Sequence, residues 1–103
     1  MTDTLSVFVI TPSQEEARKI ALAVVEEKLA ACANIFPSVH SIYCWQDEVK
    51  QADECALLIK IVAKNFDALQ ARVKELHSYQ CPCIVAWPIV EGNSDYLRWL
   101  GGL

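Results

Sequence analysis

One histidine and two cysteines stand close together in a single segment of the chain and could bind a metal ion. His77, Cys81 and Cys83 fall within seven residues, just after the end of a predicted helix. Imidazole nitrogen and thiolate sulfur favour soft or borderline ions such as Cu(I) and Zn(II). The segment therefore predicts a copper or zinc site in which two or three protein ligands leave a coordination position open.

The same three residues also have a purely structural interpretation. Cys81 and Cys83 could be small apolar residues at the start of a strand, and His77 could be a polar residue at a helix C-terminus. A Cys-x-Cys spacing is not diagnostic of a metal site, and Pro82 restricts how both thiols could face one ion. Both interpretations stay open at the level of the sequence.

Two further sets of candidate ligands fall in a predicted hairpin. His40, Cys44 and Cys55 lie on the hairpin, and structural packing is favoured over metal binding for them more strongly than for His77, Cys81 and Cys83. The acidic pairs Asp47-Glu48 and Asp53-Glu54 are typical of a solvated hairpin, with weak binding of a divalent cation as the alternative.

The motifs of common enzyme classes are absent from the sequence. An anion cradle on a fold of this kind would need glycines or an arginine after the first strand, and residues 10–13 contain neither. No P-loop, serine elbow or Gly-x-Gly turn occurs, and all three glycines lie near the C-terminus. We therefore expect a protein that is not an enzyme and that carries no organic cofactor.

Length, composition and charge limit the number of domains and the kinds of binding partner. The 103 residues suffice for one domain, 1–103, and 53% of them are hydrophobic, so some apolar surface should be covered by a partner subunit. The net charge of −4, with scattered lysines and arginines, argues against binding to nucleic acid or to a membrane surface.

The cellular compartment is predicted from the N-terminus and the cysteines. The first residues lack the basic region of a signal peptide, and the apolar run at 7–10 is too short for a membrane span. Five cysteines form an odd set without the spacing of a disulfide framework, which indicates free thiols. The expected location is the cytoplasm.

The hydrophobic periodicity predicts four strands and three helices. A capping box of Ser13 and Glu16 starts the first helix, Asn65 can cap the second, and Ser94 can cap the third. The passage from the first helix to the next strand contains no Gly, and the nearest candidate for a left-handed residue is Asn34. The strands are predicted at 5–11, 32–45, 49–63 and 84–90, and the helices follow Ser13, Asn65 and Ser94.

This order, βαββαβ with a terminal helix, predicts an α+β fold of ferredoxin-like type with an antiparallel sheet. Two helices can cover only one face of the sheet, yet the strands are apolar on both, so a copy of the same chain is expected on the second face. The hairpin between strands two and three is longer than the sheet needs. Part of it should project or pair with another chain.

Four segments of the sequence resemble the CutA family of divalent-cation tolerance proteins. They are Glu27-Lys28-Leu29-Ala30-Ala31-Cys32-Ala33-Asn34-Ile35, Tyr43 with Trp45 before an acidic turn, residues 77–82 around Tyr79, and Asp95-Tyr96-Leu97-Arg98-Trp99-Leu100. The resemblance implies a ferredoxin-like fold related to the PII signalling proteins. It also implies a tight homotrimer with exchanged hairpin pairing, and a role in tolerance of copper and other divalent metals.

The chain departs from copper-binding bacterial members of that family at the residues that matter for metal. Those members resemble each other in a strand-one cysteine, where this chain has Val9, and in adjacent histidines, of which only His77 is present. The family's usual acid after the loop proline is replaced by Cys83.

From the family resemblance we expect a non-enzymatic homotrimer that responds to divalent metal ions by binding them. The alternatives are a PII-like sensor that binds a small anionic ligand between subunits, and a purely structural partner protein.

Overall fold

Four strands and three helices follow one another in the computed structural model, which describes residues 3–102. The elements are β1 (Thr4–Thr11), α1 (Gln14–Glu26), β2 (Cys32–Trp45), β3 (Glu48–Val62), α2 (Phe66–Leu76), β4 (Ile84–Pro88) and α3 (Ser94–Gly101), with a short 3-10 turn at Ala63–Asn65. The strands form one antiparallel sheet in the order β2-β3-β1-β4. The predicted ferredoxin-like α+β fold is therefore confirmed.

The hydrophobic core lies between one face of the sheet and the helices α1 and α2. Alternate residues of β1 and β3 point to this face, and the buried stripes of both helices pack on them. The fully buried members are Val7, Val9, Ala17, Ile20, Val24, Leu57, Ile59, Ile61, Leu69 and Val73. Two helices thus cover one face, as the periodicity predicted.

The ends of α1 show one confirmed prediction and one correction. Ser13 caps the helix by accepting a hydrogen bond from the backbone N–H of Glu16 at 3.2 Å. The left-handed residue at the other end is Lys28, with φ of 61°, and not Asn34. Backbone hydrogen bonds from Lys28 to Val25 and from Leu29 to Val24 close the helix in a Schellman motif, which needs no glycine in the sequence.

The caps of the other two helices differ from the predicted ones. Asn65 makes no side-chain cap, because a 3-10 turn precedes α2 and leaves Asn65 in a helical conformation. In α3 the capping residue is Asn93, whose side chain accepts a hydrogen bond from the N–H of Asp95, so that Ser94 is the first helical residue.

The β2-β3 hairpin projects beyond the rest of the sheet. In β3, only residues 55–62 pair with β1, so within the described residues the part of the hairpin between 39 and 54 has no third strand beside it. The two residues of the turn, Gln46 and Asp47, both have positive φ, as in the type I′ turns that match strand twist. The chain measures 44 × 25 × 23 Å as a result, and the predicted projection is confirmed.

The second face of the sheet is covered only in part, by α3. Leu100 is buried there, and the ring of Tyr96 lies 5.9 Å from the ammonium group of Lys60, whose side chain points away from the core. Phe36, Val85 and Trp87 stay exposed on the remainder of this face.

Candidate functional site

A cleft of about 570 Å³ lies where the projecting part of the hairpin leaves the sheet. The strands β1, β2 and β3 and the segment after α2 form its walls. The lining residues are Ile10, Ser41, Tyr43, Trp45, Glu54, Ser78, Tyr79, Gln80, Cys81 and Cys83. Two of the three predicted metal ligands, Cys81 and Cys83, are therefore at this cleft.

The two cysteines share one wall of the cleft and are both exposed. The carbonyl of Cys83 accepts a hydrogen bond from the N–H of Ile10 at 3.3 Å, which extends the pairing of β1 with β4 by one residue. Partial burial, followed by the negative charge of Glu54, raises the pKa of the Cys83 thiol. Binding of a metal ion to this sulfur therefore has to displace a proton.

His77 is not part of this wall. Its side chain is fully buried, and Nε2 lies 2.6 Å from the carbonyl oxygen of Ile10, to which it donates. Nδ1 accepts a hydrogen bond from the N–H of Tyr79 at 3.1 Å and faces a carboxylate oxygen of Glu16 at 3.3 Å. With both ring nitrogens bonded to the protein, neither is free to bind a metal ion.

The structure consequently separates His77 from the two thiols with which the sequence grouped it. Within residues 3–102, no three His, Cys, Asp or Glu side chains are arranged so that they could hold one metal ion. His77 instead fixes the segment that carries the cysteines. Glu16 assists by accepting a hydrogen bond from the N–H of Ser78 at 3.0 Å.

Glu54 and Tyr79 both line the cleft, although the sequence placed Glu54 with Asp53 in a solvated acidic pair of the hairpin, with weak binding of a divalent cation as the alternative. The Tyr79 hydroxyl donates to the Glu54 carboxylate at 2.5 Å, and Glu54 is buried although it belongs to the hairpin. Burial, and then the hydrogen bond to Glu54, raise the pKa of Tyr79. The strand alternation could have identified Glu54, since it shares one face of the hairpin with Tyr43 and Trp45.

The other candidate ligands of the hairpin are dispersed. His40 is bonded to Asp53 at 2.9 Å and to Gln51 at 2.7 Å on the face opposite Glu54. The buried thiol of Cys55 donates to the carbonyl of Pro37 at 3.1 Å, whereas Cys44 is exposed. All five cysteines of the chain are free in the structure.

The cleft contains no positively charged side chain. None of its lining residues is Lys or Arg, and the acid Glu54 is its one charged member. Lys50, which pairs with Tyr43 across the hairpin, directs its ammonium group toward Glu48 at 3.8 Å. Within the described residues, this cleft of the single chain therefore offers no cationic side chain to a small anion.

Comparison with known proteins gives this architecture a family. Residues 5–102 match the family described as CutA1 divalent ion tolerance protein. The chain belongs to this family. The divalent-cation tolerance protein CutA of Thermus thermophilus is 54% identical over 94 residues, which cover 91% of each chain. That of Archaeoglobus fulgidus is 40% identical over the same share of each chain.

Solved CutA structures agree with the fold in detail. The divalent cation tolerance protein of Thermus thermophilus superposes with a TM-score of 0.94 at 52% identity, covering 96% of each chain. The periplasmic divalent cation tolerance protein CutA of Archaeoglobus fulgidus superposes with a TM-score of 0.91 at 38% identity, covering 94% of each chain. No helix among residues 3–102 of the CutA1 chain is long and apolar enough to span a membrane.

Proposed function

We propose that this CutA1 chain is a non-enzymatic, homotrimeric protein of the cytoplasm that contributes to metal tolerance by binding copper as Cu(I). The ligands are the thiolates of Cys81 and Cys83. Membership of a divalent ion tolerance family supports the general role. The proposal for the ligands rests on the two thiols that share a wall of one cleft.

The number of available ligands favours Cu(I) over the other ions. Soft thiolates select Cu(I), whereas a zinc site normally has four ligands and Ca(II) or Mg(II) require oxygen. With His77 bonded to Ile10 and Tyr79, two sulfurs remain, and Cu(I) accepts two-coordinate binding. Both thiols are exposed, so the ion could enter and leave without unfolding the chain.

The trimer is supported by apolar side chains that a single chain leaves open. Phe36, Val85 and Trp87 are exposed on the sheet, and Ile42 and Val49 share one face of the projecting hairpin. β2 is an edge strand of 14 residues, and a long unpaired edge is a template for pairing with another chain. Neighbouring copies would cover these surfaces.

A competition titration with a Cu(I) chelator tests the ligand assignment. The wild-type protein should bind one Cu(I) per chain, and Zn(II), Ca(II) and Mg(II) should bind more weakly. Replacing Cys81 and Cys83 together by Ser should abolish Cu(I) binding while light scattering shows the trimer unchanged.

Replacement of Cys44 and Cys32 by Ser provides the matched control, since it also removes two thiols but neither of them lines the cleft. The control should bind Cu(I) as the wild type does. Equal affinity of the Cys81/Cys83 variant and the wild type would show that these cysteines are structural.

A further inference from the structure

Four residues that line the cleft have a chemical character distinct from that of the two thiols. Three aromatic side chains, Tyr43, Trp45 and Tyr79, line the cleft together with the buried carboxylate of Glu54. From this combination we infer a second binding site in the cleft, for a small organic ammonium ion with an apolar body. The inference does not depend on the copper proposal.

Glu54 supplies the charge. The residue is only 9% exposed, and burial of a carboxylate is costly unless it is paired. Tyr79 donates to one oxygen, Oε2, and a carboxylate can accept about four hydrogen bonds, so acceptor capacity remains toward the cleft. An ammonium group would provide both the missing positive charge and the hydrogen-bond donors.

The aromatic side chains supply the selectivity for an organic cation. The faces of Trp and Tyr rings attract cations, and aromatic cages are a known means of binding alkylated ammonium groups. Tyr43 and Trp45 are two residues apart on β2 and therefore point to the same face of the hairpin as Glu54, farther along the cleft, where their rings can contact the organic part of the ligand. Both rings are partly exposed, so their surface is available to a ligand.

The size and electrostatics of the cleft agree with such a ligand. Its volume of about 570 Å³ is within the usual range for small-molecule sites, about 300–1,000 Å³. No Lys or Arg lines it to repel a cation or attract an anion. A hydrated inorganic ion would make no use of the three aromatic rings.

Three probes of one shape and different charge test the inference by calorimetry on the assembled protein. They are 2-phenylethylammonium, neutral 2-phenylethanol and anionic 3-phenylpropanoate. The ammonium compound should bind at least about tenfold more tightly than the alcohol, as expected for a hydrogen bond to a charged group. The carboxylate should bind least. No measurable binding of the ammonium compound, or equal binding of all three, would overturn the inference.

Two variants locate the site. Glu54→Gln keeps an acceptor for Tyr79 and should weaken ammonium binding about tenfold or more. Asp53→Asn, the same charge change one residue away on the opposite face, should leave it unchanged. Trp45→Leu leaves the charge of Glu54 in place and should weaken ammonium binding severalfold. Because Trp45 is exposed, this variant should fold, and it tests the inference if Glu54→Gln fails to fold. Unchanged ammonium binding in folded Glu54→Gln or Trp45→Leu protein would contradict the inference.

The Cys81/Cys83 double serine variant separates this site from the copper site. It should bind the ammonium probe as the wild type does. Failure of copper binding and failure of ammonium binding are thus independent results.

Discussion

At the scale of single residues, His77 has a structural role that its position in the sequence did not reveal. Its imidazole bonds the end of β1 to the segment after α2, through the carbonyl of Ile10 and the N–H of Tyr79. Residue types and spacing indicate what a side chain could bind, but not which contacts already occupy it. For His77 those contacts are made to the protein backbone.

We expect His77→Ala to lower the free energy of unfolding by about 1–3 kcal/mol, because it leaves buried polar groups without partners. Urea unfolding measures the change. His40→Ala, at an exposed histidine of the hairpin, should have a smaller effect. The Cu(I) affinity of folded His77→Ala should stay within a few-fold of wild type. Loss of Cu(I) binding comparable to that of the double serine variant would show that His77 is a ligand.

His40 should titrate above the ordinary histidine pKa of about 6.5. The hydrogen bond to Asp53, and then that to Gln51, raise its pKa. Since the folded-state pKa of His40 is higher than its unfolded-state pKa, protonated His40 stabilises the folded chain, and this stabilisation is fully present below the unfolded-state pKa. It is lost as the pH rises through the folded-state pKa. An NMR titration should show the raised pKa, and Asp53→Asn should lower it. A wild-type pKa at or below the ordinary value would contradict this assignment.

At the scale of secondary-structure elements, Lys28 at the end of α1 departs from the local preference of its residue type. It adopts φ of 61°, where a residue with a Cβ is disfavoured. We expect Lys28→Gly to raise the free energy of unfolding by about 0.5–1 kcal/mol, because the cost of a left-handed residue with a Cβ, about 1–2 kcal/mol, exceeds the extra conformational entropy that glycine loses on folding. Lys19→Gly, in the interior of α1, should lower it by about 1 kcal/mol. A destabilised Lys28→Gly variant would show that other contacts of Lys28 outweigh its backbone strain.

The sequence predicted the elements well because their signals are local and repeated. Apolar residues recur over several turns in α1 and α2, and over several residues in the apolar half of β3. The limits of β2 were predicted without error. The cap of α3 could not be predicted from the sequence, because Asn93 and Ser94 are both good capping residues and only the backbone conformation decides between them. The same holds for Lys28, whose type gives no indication of a left-handed conformation.

The candidate site was only half predictable for a related reason. Cys81 and Cys83 are two residues apart in the sequence, and both line the cleft, so their proximity follows from their spacing. The approach of Glu54 to Tyr79 joins residues from the middle of β3 and the segment after α2. Such a contact depends on the three-dimensional path of the chain rather than on spacing.

At the scale of the whole molecule, we expect an obligate trimer whose neighbours cover the open sheet face. Val85→Lys places a charge on that face and should reduce the trimer mass measured by light scattering at micromolar concentration. Leu22→Lys is the control, because Leu22 is exposed on α1, on the opposite side of the sheet. A folded wild-type monomer would contradict the trimer, and dissociation caused only by Leu22→Lys would place the interface on α1.

The central claim, that two sulfurs and no imidazole hold the copper ion, is tested most directly by X-ray absorption spectroscopy of the trimer loaded with Cu(I). The wild-type protein should show a first shell of two sulfur atoms, without the multiple scattering of an imidazole ring. This result is expected because both nitrogens of His77 are bonded within the protein. An imidazole in the first shell, or a shell of nitrogen and oxygen alone, would contradict the account.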